Sequence, residues 1–263
     1  MRYAKLCKSI TILFVIATVS ARAQEEKRTY LHRSRGEDLR AVNVFVTPMP
    51  DGSHSYRIDD FIGGNDNAYE FIIGRNGAPM KYFSKGGGHE LSFLFTNNSV
   101  VCSRKKPEQE AVTRNIPLDQ GVLPDFNSRP DPYLTEHLLV HKYDFDKAGK
   151  QGFTVFDIDN TGDGIAMYEI SLELLPEDSV LLPNGRFKAR HLVKLQQSSA
   201  STWYKKRRGS QTDIWVDDQG TVLRIYRHRE PYELVLQNYG NIANQISKDE
   251  SAQGYQQPTV LAP

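Results

Sequence analysis

His137 and His141 stand four residues apart with Glu136 beside them, and no other side chains in this sequence are so well spaced for chemistry. On a helix, residues i and i+4 share a face, so two imidazoles at that spacing can hold one zinc ion. The hydrolytic zinc helix needs Glu directly after the first His, and here that position is Leu138. A third ligand would have to come from elsewhere, with Asp144 and His191 as the candidates. Without a metal, the pair reads as packing histidines with one face exposed.

Asp157-Ile158-Asp159-Asn160-Thr161-Gly162-Asp163-Gly164 is the second constellation. Side-chain oxygens of Asp157, Asp159 and Asp163, with Gly at the sixth position, match the start of a calcium loop. The twelfth position should be Glu but is Tyr168, and the flanks read as strands, not helices. A hairpin turn drawing its backbone angles from Asn, Asp and Gly is the competing reading. Calcium is thus the one cofactor suggested here, and otherwise none.

Weaker signals complete the survey. Lys205-Lys206-Arg207-Arg208, between Trp203-Tyr204 and Gly209-Ser210, reads as a solvated hairpin tip able to dock an anion. Gly86-Gly87-Gly88 lacks the lysine and following helix of a phosphate loop. No G-x-S-x-G, C-x-x-C or H-E-x-x-H occurs, so no catalytic residue is assigned. Asn97-Asn98-Ser99 has the form of a glycosylation sequon.

The elements that must position these residues are mostly strands. Stretches 41–47, 55–62, 69–73, 80–83, 90–95 and 99–103 are β-branched or aromatic and are separated by turn residues such as Pro50-Asp51-Gly52-Ser53 and Asn76-Gly77. The style resumes at 153–159, 165–175, 187–195, 201–205, 212–216, 222–228 and 233–237. In 165–175, Tyr168, Ile170, Leu172 and Leu174 alternate with Met167, Glu169, Ser171 and Glu173, the period of a strand with one buried face. About a dozen strands are too many for a flat sheet, so a curved antiparallel meander or half-barrel is expected. Between the halves, Asp131-Pro132 suggests an N-cap and first helical position, and Leu134, Leu138 and His141 then share a face. One short helix packed on or across the concave side follows.

Domain boundaries come from composition. Arg2, Lys5 and Lys8, the apolar run Ile10–Val19 and Ala21-Arg22-Ala23 form a secretory signal over 1–23, cleaved before Gln24. The run of ten residues is too short for a membrane span, which needs about 20, and no transmembrane anchor is expected after cleavage. Residues 24–40 are charge-rich and predict a flexible lead-in, 41–240 a single β-rich domain, and 241–263 a disordered tail. Export places the mature protein in the periplasm or outside the cell.

Removing Arg2, Lys5, Lys8 and Arg22 from 33 basic residues, against 32 acidic, leaves a mature net charge of −3. This gives no global attraction for nucleic acid. Cys102 is the one cysteine left after cleavage, so no intramolecular disulfide forms, and a buried inert thiol is expected.

From residue 126 onward the chain resembles an uncharacterised family of exported bacterial β-proteins. The residues carrying the likeness are Phe126–Phe145, the hairpin around Asn160–Gly164, Gly185–Arg190 and Asp213-Ile214-Trp215-Val216 to Tyr226. That family resembles the half-barrel periplasmic lipoprotein carriers. The resemblance implies a curved sheet with a helix in its concavity, able to hold an acyl chain. It defines no catalytic residues.

The leading expectation is therefore a non-enzymatic envelope protein that binds or carries an apolar ligand such as a lipid or lipoprotein, with Leu134, Leu138, Trp203 and Trp215 as ligand-contact candidates. Its partner would be an apolar small molecule or an envelope protein. One alternative is a structural or polysaccharide-binding protein using Trp203, Tyr204 and Trp215 to stack on sugars. The other is a hydrolase centred on His137 and His141.

Overall fold

The computed structural model describes residues 24–62, 65–86, 88–125, 133–147, 149–158, 165–176, 178–196, 211–228 and 232–240. The expected signal at 1–23, Asp131, Pro132, the turn 159–164, the segment 201–208 and the tail 241–263 lie outside these residues.

Eight strands come first: β1 (Glu26–Ser34), β2 (Glu37–Pro48), β3 (His54–Ile62), β4 (Asn65–Ile73), β5 (Pro79–Gly86), β6 (His89–Phe95), β7 (Ser99–Lys105) and β8 (Val112–Pro117). Each pairs antiparallel with the next. The short β9 (Leu123–Pro124) and the helix α1 (Tyr133–Lys142) follow. The second half holds β10 (Lys150–Ile158), β11 (Ile165–Leu174), β12 (Asp178–Leu182), β13 (Gly185–Gln196), β14 (Gln211–Val216), β15 (Val222–Arg227) and β16 (Tyr232–Leu236). The turns are built as their residues require. At Asn76-Gly77 the glycine adopts φ +71°, and Asn76 Oδ1 accepts the Ala78 N–H at 3.0 Å. At the β14–β15 turn, Asp217 Oδ1 accepts the Gln219 and Thr221 N–H groups.

All of this forms one mainly antiparallel sheet in the order β8-β7-β6-β5-β4-β3-β2-β1-β16-β15-β14-β13-β11-β10-β9, with β12 hairpinned onto the first half of β13. The first and last strands in sequence, β1 and β16, pair at its centre, Tyr30 opposite Leu236. The edge strands β8 and β9 are joined by the short link 118–122. Phe95 of β6 and Phe156 of β10, far apart in strand order, lie 6.3 Å apart by ring centroid. The sheet therefore curls until its two ends approach, leaving an open, barrel-like shape with one helix. The expected curved antiparallel fold is what forms.

Inward-facing residues alternate along the strands and make one core. Val42, Val44 and Val46 of β2 are buried, as are Tyr168, Ile170 and Leu172 of β11, on the face their period of two predicts. Ser171 departs from that period and is also buried. Cys102 is buried on β7.

Residues 24–40 are a correction. They were expected to be a flexible lead-in, and they hold β1 and the start of β2. Their charges are compensated locally: Arg28 pairs with Glu26 at 2.7 Å and Arg33 with Asp38 at 2.6 Å. Between them Tyr30 is buried, while β1 pairs with a strand on each side. Strands β8, β9 and β12 were not anticipated either; β8 is nearly all exposed and β9 has two residues. No helix among the described residues is long and apolar enough to cross a membrane.

Candidate functional site: the filled lumen

The helix α1 lies inside the curl of the sheet. Its first eight residues, Tyr133 to Val140, are all buried. The lumen is thus contacted on every side of the helix, which explains why α1 lacks the polar stripe of a surface helix. Apolar contact comes from Leu134, Leu138, Leu139 and Val140, each at most 2% exposed. Tyr133 lies against Tyr30 of β1, ring centroids 4.9 Å apart. The Tyr30 hydroxyl donates to the Val222 carbonyl at 2.7 Å.

Polar contacts tie the helix to both halves of the sheet. Glu136 is wholly buried, and its Oε1 accepts from Lys194 Nζ of β13 at 2.8 Å and from Arg227 Nη2 of β15 at 3.3 Å. Oε2 of the same carboxylate meets no protein donor. Burial opposes the charged carboxylate, but the Lys194 and Arg227 charges outweigh it and hold Glu136 below the usual carboxylate range. Thr135 Oγ1 donates to Asp125 Oδ1 at 3.2 Å, just past β9. At the C-terminal end, Lys142 Nζ donates to the Asn76 carbonyl at 3.0 Å.

The two histidines meet on another face of the helix, beside Tyr56 of β3. His137 Nε2 and His141 Nε2 are 3.0 Å apart, and the Tyr56 hydroxyl of β3 is 3.4 Å from His141 Nε2. His141 Nε2 carries either one proton or one lone pair, so it meets both neighbours through a single shared site, and the ring tautomers set which group donates. His137 Nδ1 is buried and has no hydrogen-bond partner among the described residues. The His137 ring is held between Tyr133, stacked at 5.2 Å, and Tyr56, edge-on at 4.5 Å. Burial first, then the His141, Arg28 and His54 charges, push the His137 pKa well down. Burial and the His54, Arg28 and Lys142 charges bring His141 down to about 4. Both rings are neutral at pH 7.

Other candidates are placed elsewhere. Asp144 caps the turn after α1, accepting from the Asp146 and Lys147 N–H groups, and is not brought to the histidines. His191 of β13 stacks on Trp215, ring centroids 4.5 Å apart at 10°. Trp215 is 9% exposed, with the Arg224 guanidinium 4.9 Å from its ring centroid. It packs in this ladder on β13, β14 and β15. Leu134 and Leu138 are wholly buried against the lumen wall. The backbone of Asp157 pairs with Ala166 in the β10–β11 ladder, while Asp159, Asp163 and Trp203 lie outside the described residues. Among the described residues, no three His, Cys, Asp or Glu side chains converge to hold a metal ion.

Three features were missed in sequence: the Glu136–Lys194–Arg227 cluster, Arg28 beside the tyrosines, and the Tyr56 contact. Lys194 and Arg227 lie 58 and 91 residues after Glu136. A Lys in the inward register of β13, two residues from the buried Leu192, was the available signal.

The fold is an open, curved antiparallel sheet around one helix, and two solved structures are similar to it in part. A beta-barrel-like protein of the domain of unknown function DUF1849 from Brucella abortus matches with TM-score 0.49 at 8% identity, covering 82% of this chain and 96% of that one. A DUF1089 family protein from Pseudomonas aeruginosa matches with TM-score 0.35 at 12% identity, covering 85% and 94%. Neither is described as a lipoprotein carrier. No family model matches the chain, and no curated protein matches it.

Proposed function

We propose that this chain is an exported, non-enzymatic binding protein that holds an apolar molecule, a lipid or the acyl part of a lipoprotein, inside its curved sheet. The observation that carries the reading is the position of α1: a separate helix fills the lumen of an open sheet and is tied there by a few polar contacts. An acyl chain entering the lumen would replace the contacts of Leu134 and Leu138, each worth about 2 kcal/mol by burial. The helix would act as a plug that ligand and protein exchange. Mouths and interiors of curved sheets are usual ligand sites.

The test is a titration of delipidated mature protein with an environment-sensitive fluorescent fatty acid. The proposal expects saturable one-to-one binding that unlabelled fatty acid competes away. Signal that rises without saturation, or none, would overturn it.

A further inference from the structure

We propose that His137, His141 and Tyr56 form a binding site for a single borderline transition-metal cation, Zn(II) or Cu(II), at the lumen mouth. Three donor atoms lie close together: the two Nε2 atoms are 3.0 Å apart and the Tyr56 oxygen is 3.4 Å from that of His141. Two ligands on a tetrahedral ion with bonds of about 2.0–2.1 Å lie roughly 3.3 Å apart. The pair therefore needs to open by only a few tenths of an ångström.

The surroundings fix the donors. The His137 ring is clamped by Tyr133 and Tyr56 and is nearly perpendicular to His141, at 88°. The His141 backbone is pinned by the β4–β5 turn: a Cβ on Gly77 would come within 3.2 Å of its carbonyl oxygen. The next residue, Lys142, reaches the Asn76 carbonyl in the same turn. His141 is exposed on its outer side, so an ion can enter from solvent. His54 is also exposed and lies two residues before Tyr56 on the same side of β3, ring centroids 6.5 Å apart. It is placed to swing in as a fourth ligand, with water as the alternative.

Binding needs no oxidant and no net proton loss. Whichever ring carries the proton between the two Nε2 atoms shifts it to its own Nδ1, both Nε2 lone pairs bond the ion, and Tyr56 binds as the neutral phenol. Two imidazoles and one phenol oxygen suit Zn(II) or Cu(II) and offer too few oxygens for calcium.

The experiment uses the mature chain, with Zn(II) affinity read by competition against a chromophoric chelator and geometry read by Co(II) visible absorption. Wild type should take up one equivalent, give the intense bands of a four-coordinate cobalt ion, and melt at a higher temperature with Zn(II). His141→Ala, at an exposed position, should weaken binding at least tenfold and abolish the melting shift. Tyr56→Phe should weaken it less. His89→Ala, an exposed histidine on β6, should bind as wild type does. The proposal is overturned if wild type binds less than one equivalent, or if His141→Ala binds Zn(II) as tightly as wild type.

Discussion

Lys194 Nζ donates to Glu136 Oε1 at 2.8 Å in a contact where the carboxylate is wholly buried and the lysine side chain 5% exposed. This pair joins the helix to the sheet. Its two partners are charged groups taken out of water, so removing Lys194 leaves the buried carboxylate with Arg227, at 3.3 Å, as its remaining cation. Lys194→Met is expected to destabilise the protein by about 3 kcal/mol, the usual cost of breaking a buried ion pair. Adding Glu136→Leu removes the carboxylate but also takes the anion from Arg227, so the double variant should lose less than the sum of the two single losses. Urea denaturation of the two single variants and the double variant measures both effects, and equal losses that simply add would contradict the coupling.

Leu138→Ala removes a side chain with no exposure from the interface between helix and lumen. A loss of about 2–5 kcal/mol is expected. Leu181→Ala, at a residue 61% exposed on β12, should change stability by less than about 0.5 kcal/mol. Equilibrium unfolding of the two variants side by side separates a packed plug from a loosely held one.

The strand pattern of this chain was legible because hydrophobic alternation and turn chemistry act locally. Tyr168, Ile170 and Leu172 bury as their spacing predicts, and Asn76-Gly77 turns where its backbone preferences require. Strand β1 was not legible because charged residues obscure its alternation, and their partners, such as Glu233 for Arg33, become neighbours only when the chain ends meet. The histidine pair could be seen as one helical turn. Its third partner, Tyr56, could not, since 85 residues separate it from His141 and a β-turn brings neither into register with the other. The same holds for Lys194 and Arg227, whose role depends on which way α1 faces.

Acid should destabilise the fold. Burial and neighbouring cations lower the folded-state pKa of His137, and bring His141 to about 4 and His32 to about 4. In the unfolded chain these groups titrate near 6.5. Between those limits the unfolded state binds more protons, so stability is present above pH 6.5 and is lost as pH falls toward 4. Glu136, with its pKa lowered, adds a further loss below its unfolded value. Thermal melts from pH 7.5 to 4.5 should fall steadily, and His32→Gln should flatten the slope. A melting temperature independent of pH over this range would contradict neutral buried histidines.

Gly77 adopts φ +71° where the β4–β5 turn meets the end of α1. An alanine there is strained by its backbone angle and by a Cβ 3.2 Å from the His141 carbonyl oxygen. Gly77→Ala should cost more than about 1 kcal/mol. Gly121→Ala also has positive φ but meets nothing within 4 Å, so it should cost less, and chemical denaturation of both variants makes the comparison.

Hydrogen exchange of the backbone amides in 133–142, followed by mass spectrometry with and without oleate, tests most directly whether a ligand takes the place of α1. Faster exchange in the helix on adding oleate, with slower exchange in the lumen-facing segments of β1, β3, β13 and β15, is the predicted result. Exchange in 133–142 that oleate leaves unchanged would contradict the reading of α1 as a displaceable plug.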